Sequence, residues 1–526
     1  MRKSVRDCIF VLVLLFFMGI FISFSQKPEA QPQKPNILFI LSDDHTAQAW
    51  GIYGGILEDY VQNGNIRRLA QEGAVLNNAF CTNSICTPSR GSILTGQYSH
   101  INQVYTLNEP IPSGHPNIAK ALKANGYQTA VIGKWHLVEQ PEGFDYFNVL
   151  PGQGEYWNPI LKTTENWKDG PDSSGGKQYE GFSTDIITDL TIDYLEKRDS
   201  TKPFLMFCNF KATHEPFDYP ERFASLYEND TIPEPVSLLD FGKETTGRTF
   251  KGQVLENLGE RWKKATDTDD FWTTYPGLPY PLDGLDSVQK RKKIYQKLVK
   301  DFMRCGAAVD DNIGKLLDYL QQEGIADNTI VVYTADQGYF LGEHGFFDKR
   351  LIYEESLRMP FVIRYPKEIM GGQRIDDIIL NIDFSALLAD YAGMEKPAYI
   401  QGESFRQNLK GNTPVTWRQQ MYYRYWLHHP DRPAHFGIRN ERYKLAFFYG
   451  QALGKKGTDN QTTAPAWEFY DLQNDPKELH NSIDDAGYAT IIADMKLQLL
   501  EERKKYSDLD QEYPEMRAIL ARAKLE

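Results

Sequence analysis

The run Asn36-Ile-Leu-Phe-Ile-Leu41 is apolar from its second residue onward, then breaks at once into Ser42-Asp43-Asp44-His45. An uninterrupted apolar run of this length reads as a strand buried on both faces, as in a parallel sheet covered on both sides. The design recurs: Tyr127–Ile132 leads into Gly133-Lys134-Trp135-His136, and Phe204–Phe210 into Lys211-Ala-Thr-His214. Thr329–Tyr333 leads into Thr334-Ala-Asp336-Gln337-Gly338. Helical patterns fall between these runs, around Ile66–Glu72 and from Thr87-Pro88, where proline suits a first turn. Others cover Ile118–Ala124, closing at Gly126, and Lys297–Leu320, with Phe302, Cys305, Val309, Ile313, Leu316 and Leu320 apolar. Strands alternating with helices predict an α/β protein with a large mixed, mostly parallel sheet sandwiched by helices. Open sheets of this kind bind ligands at the carboxyl ends of their strands, so the four polar ends should converge on one site.

Two regions depart from this pattern. Pro216 to about Lys293 is polar and rich in Pro, Gly and aromatics, and reads as an insertion over the catalytic face. From about Thr413 short strand-like runs follow, at Met421–Trp426, Tyr443–Tyr449 and Trp467–Tyr470, then an Asn-Asp-Pro turn at 474–476 and a helix over Ile491–Tyr506. A catalytic domain over 36–412 and a smaller C-terminal α+β domain over 413–526, built on a short antiparallel sheet, are expected.

The N-terminus has Arg2, Lys3 and Arg6 before the apolar stretch Ile9–Ile22, then small residues at Ser23 and Ser25. That is the layout of a cleaved signal peptide over 1–25, followed by a Pro/Gln spacer to 35. The apolar stretch is shorter than the roughly 20 residues that span a bilayer, so no stable membrane insertion is expected after cleavage. An exported protein, periplasmic or secreted, follows.

Net charge is −13, and nearer −15 without residues 1–25, whose three cations and one acid carry +2. Such a chain has no cationic surplus to displace counterions, which argues against nucleic acid as a partner. A locally basic pocket in an acidic protein still binds anions. Aromatics make up 13% of residues, which suits either sugar stacking or an aromatic core. Beyond residue 25 the cysteines are Cys81, Cys86, Cys208 and Cys305, too few in a chain this long for a disulfide framework. Cys208 and Cys305 read as core thiols, and Cys81 and Cys86 are close enough in sequence to bridge.

Asp43, Asp44, Asp336 and Gln337 are oxygen donors at two strand ends, a set that suits Ca²⁺ better than Zn²⁺. Taken alone, Asp-Asp after a strand is also an ordinary turn or cap. Lys134, His136, His214, Lys349 and Arg350 supply the local positive charge that recognition of a sulfate or phosphate ester requires. Singly, each has an ordinary surface or structural reading.

The stretch Ser84-Ile-Cys-Thr-Pro-Ser-Arg90, continuing to Ile93-Leu-Thr-Gly96, resembles the type I sulfatase signature built on Cys-x-Pro-Ser-Arg. Gly126-Tyr-Gln-Thr-Ala-Val-Ile-Gly-Lys-Trp-His136 resembles the second signature of that family, and NILFILSDDH, THEP and TADQGYFLGEHGFFDKR follow the family's order. The chain is thus similar, over nearly its whole length, to Cys-type sulfatases of the alkaline phosphatase superfamily. The resemblance implies an alkaline phosphatase-like fold and a nucleophile, Cα-formylglycine, made from Cys86 by a maturation enzyme. A hydrated aldehyde offers two hydroxyls on one carbon, so one attacks sulfur and the other collapses to expel sulfate. It further implies that Asp43, Asp44, Asp336 and Gln337 hold Ca²⁺, with Gln337 standing where many relatives have Asn. Lys134 and Lys349 bind sulfate, Arg90 steadies the nucleophile, His214 protonates the leaving oxygen and His136 assists collapse of the sulfated intermediate.

The blocks GKWHLVEQPEGFDYFNVLPGQGEYWNP and FFDKRLIYEESLRMPFVIRYP resemble glycosaminoglycan- and mucin-directed enzymes, especially N-acetylglucosamine-6-O-sulfatases. By that resemblance the substrate is a sulfated saccharide attacked from its end. Asp348 and Arg350 then contact sugar hydroxyls and His435 reaches in from the C-terminal domain. The plainer alternative is that Asp348 and Arg350 pair to shape the loop. Competing functions are a phosphonate monoester or phosphodiester hydrolase of the same superfamily, and a sulfated-glycan-binding relative without catalysis.

Overall fold

The computed structural model describes residues 34–167, 170–240, 251–268 and 274–525. The expected signal peptide and most of the spacer lie outside the described residues. Ten strands form the main sheet: β1 (Asn36–Ser42), β2 (Ala74–Leu76), β3 (Gln128–Lys134), β4 (Tyr146–Leu150), β5 (Ile160–Thr163), β6 (Lys177–Gln178), β7 (Phe204–Asn209), β8 (Thr329–Ala335), β9 (Phe361–Arg364) and β10 (Gln373–Ile375). Their order is β10-β2-β9-β8-β1-β7-β3-β4-β5-β6. The central neighbours β8, β1, β7, β3 and β4 are all parallel, while antiparallel pairings at β8–β9 and β4–β5 carry the sheet outward. The apolar runs are therefore the buried centre, and the antiparallel flanks are the short strands whose sequence signal is weak.

Alternation along β1 divides the core. Ile37, Phe39 and Leu41 pack on one face with Ile93 and Leu94 of α2 (Cys86–Thr95), Leu122 of α3 (Ile118–Ala124) and Leu387 of α7 (Asp383–Tyr391). Leu38 and Ile40 pack on the other, with Leu69 of α1 (Gly64–Gln71), Ile187 of α4 (Ser183–Lys197) and Val309 of α6 (Ser287–Gln322). Cys208 and Cys305 lie in this second core.

Helix α6 begins ten residues before the expected start at Lys297. Its first turns are polar, so apolar periodicity does not announce them. A capping box between Asp286 and Gln289 starts it instead. In the expected insertion, α5 (Leu255–Asp267) buries Leu255, Leu258 and Trp262 against Ile294, Leu298 and Phe302 of α6, a third core.

Four further strands, β11 (Gln420–Tyr425), β12 (His435–Asn440), β13 (Tyr443–Phe448) and β14 (Ala466–Asp471), form an antiparallel sheet in sequence order. Helix α8 (Ala489–Lys505) buries Ile492, Met495 and Leu499 in the shared core. β12 was not anticipated as a strand. Pro35–Glu526 clusters as one compact unit, and among the described residues no helix is long and apolar enough to cross a membrane.

Candidate active site

The carboxyl ends of the parallel strands converge. β1 runs into Asp43-Asp44, β8 into Asp336-Gln337, β3 into Lys134-Trp135-His136, and β7 into the turn holding Lys211 and His214. The ends of β1 and β7 are tied by Asp43 N–H to Ala212 O, 2.9 Å, and Thr213 N–H to Asp43 O, 2.6 Å. Gly133 has φ of +98°, and a Cβ there would sit 2.0 Å from Asn209 O. Only glycine lets β3 and β7 approach while the chain turns into Lys134.

Helix α2 carries Cys86 at its first position, after extended Ile85, and ends where Gly96 takes a left-handed conformation. All ten of its residues are buried. Ser84 N–H donates to Tyr423 Oη at 3.3 Å, and Tyr423 Oη–H donates to Arg350 O at 2.6 Å. The first strand of the C-terminal sheet thus fixes both the Cys86 loop and the Lys349–Arg350 loop.

Asp43, Asp44 and Asp336 each place a carboxylate oxygen within 4.8 Å of the others, and all are essentially unexposed. Each faces a cation. Lys134 Nζ contacts Asp43, Lys349 Nζ donates to Asp44 at 2.5 and 2.6 Å, and Arg90 Nε donates to Asp336 Oδ2 at 2.8 Å. Arg90 also donates to Lys134 O at 2.9 Å, so one guanidinium joins β3 to β8. Gln337 Nε2 donates to Asp44 and lies 3.7 Å from Cys86 Sγ. Asp43 Oδ1 and Gln337 Oε1 are buried with no hydrogen-bond partner among the described residues. Two orphaned acceptor oxygens beside buried carboxylates fit a hard, oxygen-preferring cation. Burial lifts the Asp44 carboxyl to about 6 against the pull of Lys349, with Asp336 and Asp348 adding to the rise. A cation there would reverse that shift.

Asp43, Cys86 and His214 form a second cluster within 4.8 Å. His214 Nε2 is 3.9 Å from Asp44 Oδ2, and Nδ1 lies 2.7 Å from Glu215 O. Burial first, then Lys134, Lys349 and Lys211, holds His214 well below the usual histidine range. Half-buried His136 is depressed the same way, by burial and then Lys134 and Arg90. Burial pushes the Cys86 thiol up to about 12, against the pull of Lys349. All four described cysteines are free, so the Cys81–Cys86 bridge that the spacing allowed does not form.

The residues attributed to the sugar lie further out. Arg350 Nε donates to Asp348 Oδ2 at 2.8 Å, and Arg350 Nη1 lies 3.4 Å from Tyr425 Oη. Against burial, Arg350, Lys349 and Arg432 hold Asp348 well below the usual carboxylate range. His435 lies behind the ring of Tyr425, which reaches Arg350. It sits in β12 with no exposed surface, stacked on Phe448 at 4.5 Å and flanked by the rings of Tyr423 and Tyr425.

Two residues here were not singled out from the sequence. Gln153 follows β4 and accepts from Lys134 Nζ at 2.6 Å through Oε1. Its position after a parallel strand is the same signal that marked the other ends, but β4 is short and mixed in composition. Lys211 is the other. A cavity of about 920 Å³ opens beside His136 and Gln153, with Trp135, Trp157 and Asn158 in its wall.

Buried carboxylates and cations gathered round a cysteine at a helix start, on this sheet, define the class. Residues 35–394 match the sulfatase family, and 342–505 match the N-sulphoglucosamine sulphohydrolase C-terminal family. The chain belongs to the sulfatase family of the alkaline phosphatase superfamily, and is a sulfuric ester hydrolase. It is similar to the N-acetylglucosamine-6-O-sulfatase of Bacteroides thetaiotaomicron, 38% identical over 522 residues that cover 91% of this chain and 89% of that one. A solved structure described as BT4656 in complex with its substrate D-glucosamine-2-N,6-O-disulfate aligns with a TM-score of 0.81 at 35% identity, covering 92% of this chain and 100% of that one. The phosphonate monoester hydrolase of Silicibacter pomeroyi aligns with a TM-score of 0.69 at 22% identity over 90% of this chain and 96% of that one, a likeness of fold alone.

Proposed function

We propose that this protein is an exported, exo-acting enzyme that removes 6-O-sulfate from N-acetylglucosamine at the end of glycosaminoglycan or mucin-type glycans. The observation that carries the chemistry is the Asp43–Cys86–His214 cluster. A thiol raised to about 12 is protonated at neutral pH and is a poor nucleophile as it stands. The Cys-x-Pro-Ser-Arg motif at Cys86 and the sulfatase family match support its conversion, by a maturation enzyme, to formylglycine, which when hydrated would supply a hydroxyl nucleophile. Asp43, Asp44, Asp336 and Gln337 would hold Ca²⁺, which when bound supplies polarisation of the sulfate group.

The remaining roles belong to this chain's own side chains. Lys134 and Lys349 orient sulfate oxygens, and Arg90 fixes the Asp336 and Lys134 ends relative to Cys86. His214, with Nδ1 engaged by Glu215 O, directs Nε2 towards the cluster and is the group placed to pass a proton to the leaving oxygen. An anionic ester bound beside it offsets the lysines that depress its pKa. His136 serves collapse of the sulfated intermediate. Asp348 and Arg350 contact the sugar, with His435 supporting them through Tyr425. The sugar assignment draws on the relative named N-acetylglucosamine-6-O-sulfatase, which spans nearly the same length.

Sulfate release from a panel of sulfated mono- and disaccharides tests the reading, with Arg350→Ala in parallel. Preference for N-acetylglucosamine 6-sulfate, lost by about 100-fold in kcat/KM (about 2.7 kcal/mol) in the variant, is expected. Greater turnover of phosphodiesters, or sulfated-glycan binding without sulfate release when Cys86 is fully converted, overturns it.

A further inference from the structure

Among the described residues at this site, Lys211 is a buried lysine that makes no ion pair with a carboxylate. It stands on the turn after β7 and is 3% exposed. Its ammonium donates to the carbonyl of Gln153 at 3.2 Å and lies over the Tyr156 ring, 4.9 Å from the centroid. Among the described residues no carboxylate comes within ion-pair distance of it, whereas Lys134, Lys349 and Arg90 engage Asp43, Asp44 and Asp336. Lysine is seldom this buried unless paired. An ammonium has three donors, and one carbonyl leaves most of that capacity unused on a side chain that is itself buried.

Its surroundings say what the spare capacity is for. Lys211 O accepts from His214 N–H at 3.1 Å, so Lys211 and His214 share one rigid turn. The residue whose carbonyl holds the ammonium, Gln153, also presents Oε1 to Lys134 Nζ at 2.6 Å. Lys211 is therefore one residue removed from both Lys134 and His214, and its charge acts on each, lowering their pKa values. Lys134, Lys349 and Arg90 each engage one of the carboxylates of Asp43, Asp44 and Asp336, whereas the Lys211 ammonium engages none of them and is free to attract an anion such as a sulfate monoester.

We propose that Lys211 is a third sulfate-binding residue, donating to a non-bridging oxygen of the bound sulfate ester in addition to Lys134 and Lys349. The proposal rests on the sulfatase reading of the site and is independent of which sugar carries the sulfate. It has a consequence for stability as well as affinity. A buried ammonium without a carboxylate in contact costs the resting fold stability, so an apolar replacement of similar length relieves part of that penalty. Function and stability then move in opposite directions, as at sites held in strain for activity.

The test compares the full chain with Lys211→Met by calorimetric titration with inorganic sulfate at constant ionic strength, by KM for a small aryl sulfate, and by Tm. The expected result is a 10- to 100-fold weaker Kd for sulfate and a matching rise in KM, with kcat changed less and Tm equal to or above wild type. A Kd and KM within threefold of wild type overturn the proposal, as does a fall in Tm of several degrees, which marks a structural lysine. Lys211→Gln, which keeps a donor and removes the charge, carries the same comparison if the methionine variant does not fold. Titration needs no turnover, so the two readings separate. Sulfate binding that depends on Lys211 in a protein inactive on N-acetylglucosamine 6-sulfate sinks the sugar assignment alone, and activity with Lys211-independent sulfate binding sinks this inference alone.

Discussion

Arg90→Ala isolates how much of the site's framework hangs on one side chain. Arg90 is 3% exposed, donates to Asp336 Oδ2 at 2.8 Å and Lys134 O at 2.9 Å, and lies 3.7 Å from Asp43 Oδ1. Its loss leaves the Asp336 carboxylate buried with its charge partner gone, and truncating one member of such a pair costs about 3–5 kcal/mol. Unfolding entropy of about 2.1 cal/mol/K per residue, taken over the compact unit Pro35–Glu526, comes to about 1 kcal/mol/K. The variant should therefore melt about 3–5 °C lower. Arg90→Lys keeps the charge but cannot fork to Asp336 and Lys134 O together, so roughly half the loss is expected. The measurement is made by scanning calorimetry in a Cys86→Ala background, so that incomplete maturation of Cys86 cannot enter. A fall of less than about 1 °C for Arg90→Ala would show that the carboxylates are not held by Arg90 and refute the reasoning.

Two further outcomes follow from other parts of the molecule. Asp185 of α4 accepts from both Nη atoms of Arg222 at 2.8 Å, from Asn312 at 2.8 Å and from Lys315 at 3.1 Å. These bonds, against burial, lower its pKa from 3.8 to about 2. A depressed carboxylate stabilises the fold above its unfolded pKa and loses that contribution as pH falls from about 4 towards 2. After screening at this partly exposed network, Asp185→Asn should lose about 1 kcal/mol at pH 7, with the gap to wild type closing below pH 4; a gap independent of pH counts against the ion-pair account. The second outcome concerns thiols. The four described cysteines are free and buried, so native protein should react slowly with a thiol reagent. Denatured protein lacking residues 1–25 should titrate four thiols, or three once Cys86 is converted; a value of two would restore the Cys81–Cys86 disulfide.

Much of this architecture is local in origin and so could be read along the chain. β1, β3, β7 and β8 are apolar runs long enough to declare burial on both faces, and the polar residues directly after them had to lie at one edge of a parallel sheet. α2 followed from Pro88 in its first turn. What stayed hidden lacked such periodicity. The first two turns of α6 are mostly polar, β12 mixes His435, Gly437 and Arg439 with apolar residues, and β4 is too short to mark Gln153 as a strand end. His435 itself shows the limit: the sequence offered a histidine, and the strand pairing on both its sides closed it between aromatic rings.

Residue type and motif alone determined that this chain has carboxylates, amide oxygens, lysines and histidines at the ends of its strands, and a cysteine in a sulfatase-like signature at the start of a helix. Which cation meets which carboxylate was decided only in three dimensions. Lys134 and Asp43 are 91 residues apart, Arg90 and Asp336 246, and Lys349 and Asp44 305. Such pairs are set by strand order and parallel register, and no neighbour in sequence specifies either. The same geometry leaves Lys211 without an ion-paired carboxylate among the described residues, because β7 delivers it to the carbonyl of Gln153 and the face of Tyr156.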